Sequence, residues 1–267
     1  MGINSRRFPR ASRVFGGDRA TWTRLGRRAA ATLVLLLIPG AALAAAVTVK
    51  GKTAGAQKLM NPVWNEAKDP KLQRYTFREP SASVRSDVHT LTAFLPKELC
   101  IVALGSEDAK PLSGPIRVVL AGGRTTPVTL VITKGQQVQF ENNDPFAHKL
   151  YVVGTDNKGF GPVETGPTKT RGWTPPGPGK YEIRDQLAPS LRSWIVVEPK
   201  AQAINYPDRK GDFQLDLQPG TYKLRGYFNG EPAGSELEVT VTGAPAEQLL
   251  KAPLVVAEGA PDAGSGG

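Results

Sequence analysis

The chain has 267 residues, 40% hydrophobic and 22% charged, with 29 glycines, 23 prolines, one cysteine and a formal net charge of +10. This size and balance fit one or two folded domains and exclude an intrachain disulfide. Charge-driven nucleic-acid binding is excluded too: residues 1–44 hold eight arginines against the single acid Asp18, and the 26 basic and 23 acidic residues beyond them leave +3 with no basic run.

In chain order, the arginine-rich start leads into AAATLVLLLIPGAALAAA. A basic region, an apolar run and a small-residue site at Ala42–Ala44 predict a secretory signal peptide over residues 1–44, hence a periplasmic or secreted protein. The alternative, an uncleaved anchor helix, has an apolar run short of the ~20 residues that span a bilayer, and Pro39-Gly40 interrupts it. Val47–Lys50 and Leu59–Trp64 read as strands, with Pro62 marking an edge or bulge. Lys68–Arg85 has no clean period and reads as loop. Val88–Leu95 alternates and reads as a strand carrying His89. Pro96–Cys100 allows one helical turn. Leu99–Leu104 and Ile116–Leu120 are short and β-branched, the pattern of buried strands. Cys100, inside LCIVAL, reads as a buried structural thiol.

The most regular stretch is Val128–Glu198. Val128, Leu130 and Ile132 alternate with Thr129, Val131 and Thr133. Lys134-Gly135 turns the chain into a second strand with Val138 and Phe140 on one face. Asn142-Asn143-Asp144-Pro145 is a turn, because Asn and Asp side chains can satisfy nearby backbone groups. That loop delivers His148 to a strand at Tyr151–Val153. Gly154–Thr168 reads as an exposed loop, Thr170–Trp173 as a short strand and Pro175–Gly179 as a rigid turn. Tyr181–Arg184 and Trp194–Val197 close the unit. Beyond it, Phe213, Leu215 and Leu217 alternate, as do Tyr222 and Leu224, and Leu237–Val241 reads as the last strand. Residues 243–267, rich in Ala, Pro and Gly, read as a disordered tail. Pro178-Gly179-Lys180-Tyr181 and Pro219-Gly220-Thr221-Tyr222 share one pattern, in which a tyrosine just inside a strand can tie the preceding corner. No sustained helical period occurs, so the fold is expected to be all-β with little helix.

Gly135, Val138, Phe140, Asn142, Asp144 and His148 resemble the first half of a cupredoxin of the plastocyanin and methylamine-utilisation type. The resemblance covers about Thr125–Glu198. It implies a Greek-key β-sandwich with His148 as a copper ligand, and a later loop supplying Cys, His and Met. Those positions fall here near Asp185, Ala188 and Leu191, so the sulfur ligands and the second imidazole of a blue site are absent. Asp208, Gly211, Phe213, Leu215, Pro219, Gly220 and Tyr222 resemble the carboxypeptidase-regulatory or transthyretin-like sandwich, which implies a second, immunoglobulin-like β-sandwich.

The expected organisation is therefore a signal peptide (1–44), an N-terminal β segment (45–120), a cupredoxin-like domain (121–199), a carboxypeptidase-regulatory-like segment (200–242) and a tail (243–267). One arrangement pairs 45–120 with 200–242 in a single sandwich around the inserted cupredoxin-like unit. The expected function is non-enzymatic, with the copper site lost and no cofactor, in binding or structure at the cell envelope. The alternative is a copper-binding electron carrier using His148, with Asp185 as a weak second ligand. No nucleophile–base pair or H-E-x-x-H zinc motif supports a hydrolase. The partner is an unknown protein or envelope component. Trp173, Trp194 and Phe160 are either core packing or an aromatic partner surface.

Overall fold

The computed structural model describes residues 45–62, 64–66, 77–80, 90–154 and 156–257. The predicted signal peptide, His89 and residues 258–267 lie outside them. In chain order the strands are β1 (Val47–Ala54), β2 (Met60–Pro62), β3 (Trp64–Glu66), β4 (Phe77–Pro80) and β5 (Thr90–Thr92). The one-turn helix α1 (Leu95–Glu98) leads into β6 (Leu99–Leu104). Then come β7 (Ile116–Ala121), β8 (Arg124–Thr126), β9 (Thr129–Ile132), β10 (Val138–Asn142), β11 (Leu150–Val152), β12 (Thr170–Trp173), β13 (Gly179–Asp185) and β14 (Arg192–Val197). The last are β15 (Ala201–Asn205), β16 (Asp212–Leu217), β17 (Gly220–Phe228), β18 (Glu231–Val241), β19 (Glu247–Leu249) and β20 (Leu254–Val255). The described chain is all-β with little helix, as its periodicity requires.

Two pairs of four-stranded sheets carry two cores. In the middle sandwich the sheet β12-β10-β7-β8 faces β11-β13-β14-β9. Parallel pairings, β7 with β10 and β14 with β9, sit in each sheet beside antiparallel ones. The alternation of Val138 and Phe140 places both at zero exposure, and they pack with Val118, Leu120, Leu130, Ile183 and Ile195. In the outer sandwich β16-β1-β19, with β20 also on β1, faces β15-β6-β17-β18. Val47, Val49, Ile101, Phe213, Leu215 and Leu224 fill that core. Both shared Pro-Gly-x-Tyr corners work as the sequence predicts: the Tyr181 hydroxyl donates to the Gly177 carbonyl at 2.7 Å, and the Tyr222 hydroxyl to Gln218 at 2.9 Å.

Several expectations change. β7 pairs with β10 inside the middle sandwich, so the boundary at residue 120 moves toward the N-terminus. Phe77–Pro80, within the expected loop, pairs with β3, and among the described residues 90–95 of the expected strand Val88–Leu95 the strand covers Thr90–Thr92. Phe160, within the expected exposed loop, is 1% exposed and stacks on Phe140 at 5.3 Å. Arg171 holds that loop by donating to the carbonyls of Leu150 (2.9 Å) and Gly161 (2.6 Å). The largest correction concerns residues 243–257. They form not a tail but a strap, whose strands β19 and β20 both run parallel along β1. Leu254 and Val256 are 0% and 1% exposed in the outer core. Glycines make the room: a Cβ on Gly234 would lie 1.9 Å from the Val255 oxygen, and one on Gly55 would lie 2.2 Å from that of Ala257.

The sandwiches meet across Cys100, Val102, Val131, Val196, Ala201 and Tyr227. The Tyr206 hydroxyl donates to the Thr129 carbonyl at 2.8 Å, and the Asn229 amide to the Thr129 hydroxyl at 3.1 Å. Gly230 adopts φ +76°, and a Cβ there would lie 2.7 Å from Trp194 Cδ1. Trp194 is thus a half-buried seam residue, while Trp173 and Phe160 are core. Gly230→Ala is expected to cost about 1–3 kcal/mol from the crowding and the left-handed backbone. Urea unfolding checks this, and an unchanged midpoint would remove Gly230 from the seam.

Candidate functional site

The site is built where β10 ends. Asn142, fully buried, donates through Nδ2 to the carbonyls of Phe146 (2.9 Å) and Thr165 (3.0 Å). Its Oδ1 accepts from the Asp144 amide at 2.9 Å. This turn aims the Asp144 carboxylate back at the β7–β8 connection. There Gly122 and Gly123 stand at φ +64° and +69°, a conformation glycine adopts without strain. Their amides donate to Asp144 Oδ1 and Oδ2 at 2.5 and 2.9 Å. His148 follows, its backbone bridged to Thr165 by bonds of 3.0 and 2.8 Å. Asp185, at the end of β13, accepts at Oδ1 from the amides of Lys149 (2.9 Å) and Leu187 (2.8 Å).

These elements converge on the imidazole. His148 is 0% exposed, Asp144 5% and Asp185 2%. Nε2 faces Asp144 Oδ2 at 3.0 Å, and Nδ1 makes a shorter bond to Asp185 Oδ2. The Phe146 ring covers the histidine at 5.0 Å between centroids. Burial alone would lower the His148 pKa, but the bonds to Asp185 and Asp144 outweigh it and raise the value. Burial would raise Asp144, and the Gly123 and Gly122 amides with His148 bring it below the usual range. Asp185 follows the same logic, lowered against burial by His148 and the amides of Lys149 and Leu187. With both carboxylates ionised, each ring nitrogen faces only an acceptor, an arrangement that favours an imidazolium between two carboxylates. Its residual negative charge rests on four backbone N–H groups.

That arrangement does not fit a blue copper centre. A ligating imidazole needs a free lone pair, and here both ring nitrogens are engaged by carboxylate oxygens. Ala188 offers no donor atom, and Leu191, 1% exposed, is a core residue. Cys100 belongs to the seam between the sandwiches, and burial pushes its thiol up to about 12. Among the described residues no three His, Cys, Asp or Glu side chains are grouped so as to hold a metal ion. The predicted residues His148 and Asp185 do come together, but as an ion pair. Asp144 was legible as a turn residue and as part of the cupredoxin resemblance, but not as a partner of His148. The signal that marks it is its place in Asn142-Asn143-Asp144, four residues before a histidine.

No family model matches the chain, and no curated protein matches it. Similar solved structures include a purple cupredoxin from Nitrosopumilus maritimus, 15% identical over 31% of this chain and 99% of that one, with a TM-score of 0.29. Two amicyanin variants, one oxidised and one reduced, are 16% and 18% identical; each likeness covers 37% of this chain and 98% of that one, with a TM-score of 0.30.

Proposed function

We propose that this is an exported, non-enzymatic protein whose cupredoxin-like sandwich has exchanged its copper for a buried Asp144–His148–Asp185 ion cluster, and which serves a binding or structural role at the cell envelope. The supporting observation is the histidine itself. The residue that the resemblance makes a copper ligand has a carboxylate on each ring nitrogen. One of those carboxylates, Asp185, stands where the resemblance puts the thiolate. A proton on the ring and the charge of Asp185 do the cohesive work of a metal and its thiolate: they tie the β10–β11 loop to the end of β13. The Arg-rich, apolar start supports export.

Calorimetric titration of the mature chain with Cu(II) tests the loss of copper. The expected result is no stoichiometric binding, and the same weak heats from His148→Ala. Tight one-to-one copper that disappears in His148→Ala would overturn the reading in favour of a copper carrier with a non-standard site.

A further inference from the structure

A wide concavity lies on the other sandwich, beside the strap. Lys50 pairs with Leu249 and Thr53 with Leu254, so five strap steps accompany three of β1. The excess makes Leu250–Pro253 arch outward as one wall of an open trough of about 1090 Å³. The facing wall is the turn before β16. It is held by the Asp208 amide on the Asp212 carbonyl (2.8 Å), and by Asp208 Oδ1 accepting from the amides of Lys210 (2.8 Å) and Asp212 (2.9 Å). Both walls are therefore set before any ligand arrives.

Their charges are mostly positive: Lys50, Lys52, Arg209 and Lys251 line the trough against Asp208 and the exposed Asp212, which stands opposite Lys52 in the β1–β16 register. Lys52 on the floor, Arg209 on one wall and Lys251 on the other are exposed, and none has an ion-pair partner among the described residues. Lys50 is the exception, held by Glu247 at 2.8 Å. The Asp208 carboxylate is turned onto its own backbone. Between the cations the strap wall is aliphatic, with Leu250 and Pro253. Phe213 beneath is 5% exposed, and the Tyr206 hydroxyl is committed to Thr129. The Gln214 side chain is free at the margin, where an amide can bond a peptide backbone.

We propose that this trough binds an extended acidic peptide segment, its carboxylates on Lys52, Arg209 and Lys251 and its apolar side chains over Leu250 and Pro253. The site uses a different core from the Asp144–His148–Asp185 cluster, so the copper titration and this proposal stand or fall separately.

Fluorescence polarisation of the mature chain with a labelled decapeptide of alternating Glu and Leu tests it. Saturable binding is expected, weakened by added salt. The double charge reversal Lys52→Glu with Lys251→Glu should weaken it at least about five-fold, since rim charges contribute modestly each. Lys134→Glu, on the middle sandwich, should leave it unchanged. Matching thermal melts keep the comparison fair, because all three lysines are exposed. Absence of saturable binding, equal loss in Lys134→Glu, or polygalacturonate binding more tightly than the peptide at the same lysines would each overturn the assignment.

Discussion

Replacing His148 with alanine is expected to destabilise the protein by about 3–5 kcal/mol near pH 6, the range for removing one partner of a buried ion pair. The change leaves the Asp144 and Asp185 carboxylates, 5% and 2% exposed, facing each other across a small cavity. Their amide donors remain, but the positive charge between them is gone. The pH dependence carries the signature. The raised His148 pKa gives a contribution that is full below about 6.5 and lost as pH rises through the folded value. The lowered Asp144 and Asp185 values give contributions that are full above about 3.9 and lost as pH falls through theirs. Together they place the cluster's greatest effect between about pH 4 and 6.5. Urea unfolding of both proteins across pH 3–9 should show the gap narrowing on either side of that window. A pH-independent gap, or one under about 1 kcal/mol, would mean that the cluster is not an ion pair.

Truncation after Gly243 should have an effect at least as large. It removes Leu254 and Val256 from the outer core, each side chain contributing roughly 1.5–3 kcal/mol by burial. It also removes the bonds from the Leu250 amide to the Lys50 carbonyl and from Val256 to Ala54, both 2.9 Å. The combined loss, about 4 kcal/mol or more, is a large share of the 5–15 kcal/mol by which domains are usually stable. Hydrogen exchange should then lose protection in β1 and β16–β18 while β9, β10, β13 and β14 keep theirs. Unchanged protection in β1 would show that the strap is an accessory.

The strap also shows where sequence reading stops. Alternation sufficed for Phe213, Leu215 and Leu217 and for Val138 and Phe140, because the side-chain period of a strand is local. Residues 243–267, rich in Ala, Pro and Gly, have the composition of a disordered segment, which hides the apolar Leu249-Leu250 and Leu254-Val255-Val256 within them. What orders the strap is a groove whose glycines, Gly51, Gly55, Gly226 and Gly234, lie far away in the chain. The candidate site divides the same way. His148 and the substitution of Asp185 were legible from the resemblance. That Asp144 would close on Nε2 was not, since this depends on the Asn142 turn and on two glycine amides from another hairpin.

The placement of β1 has a kinetic consequence. Its contacts are among the most distant in the molecule: Thr48 bonds Asp216 across 168 residues, and Lys50 bonds Glu247 across 197. Contacts of such separation carry a high loop-closure cost and form late. The middle sandwich, whose pairings all fall between Ile116 and Val197, can fold first and shorten that loop. The outer sandwich must wait for β16 and then for the strap, both of which follow the middle sandwich in the chain. Until β16 is made the first strand lacks its antiparallel partner, and until the strap is made it lacks its parallel ones.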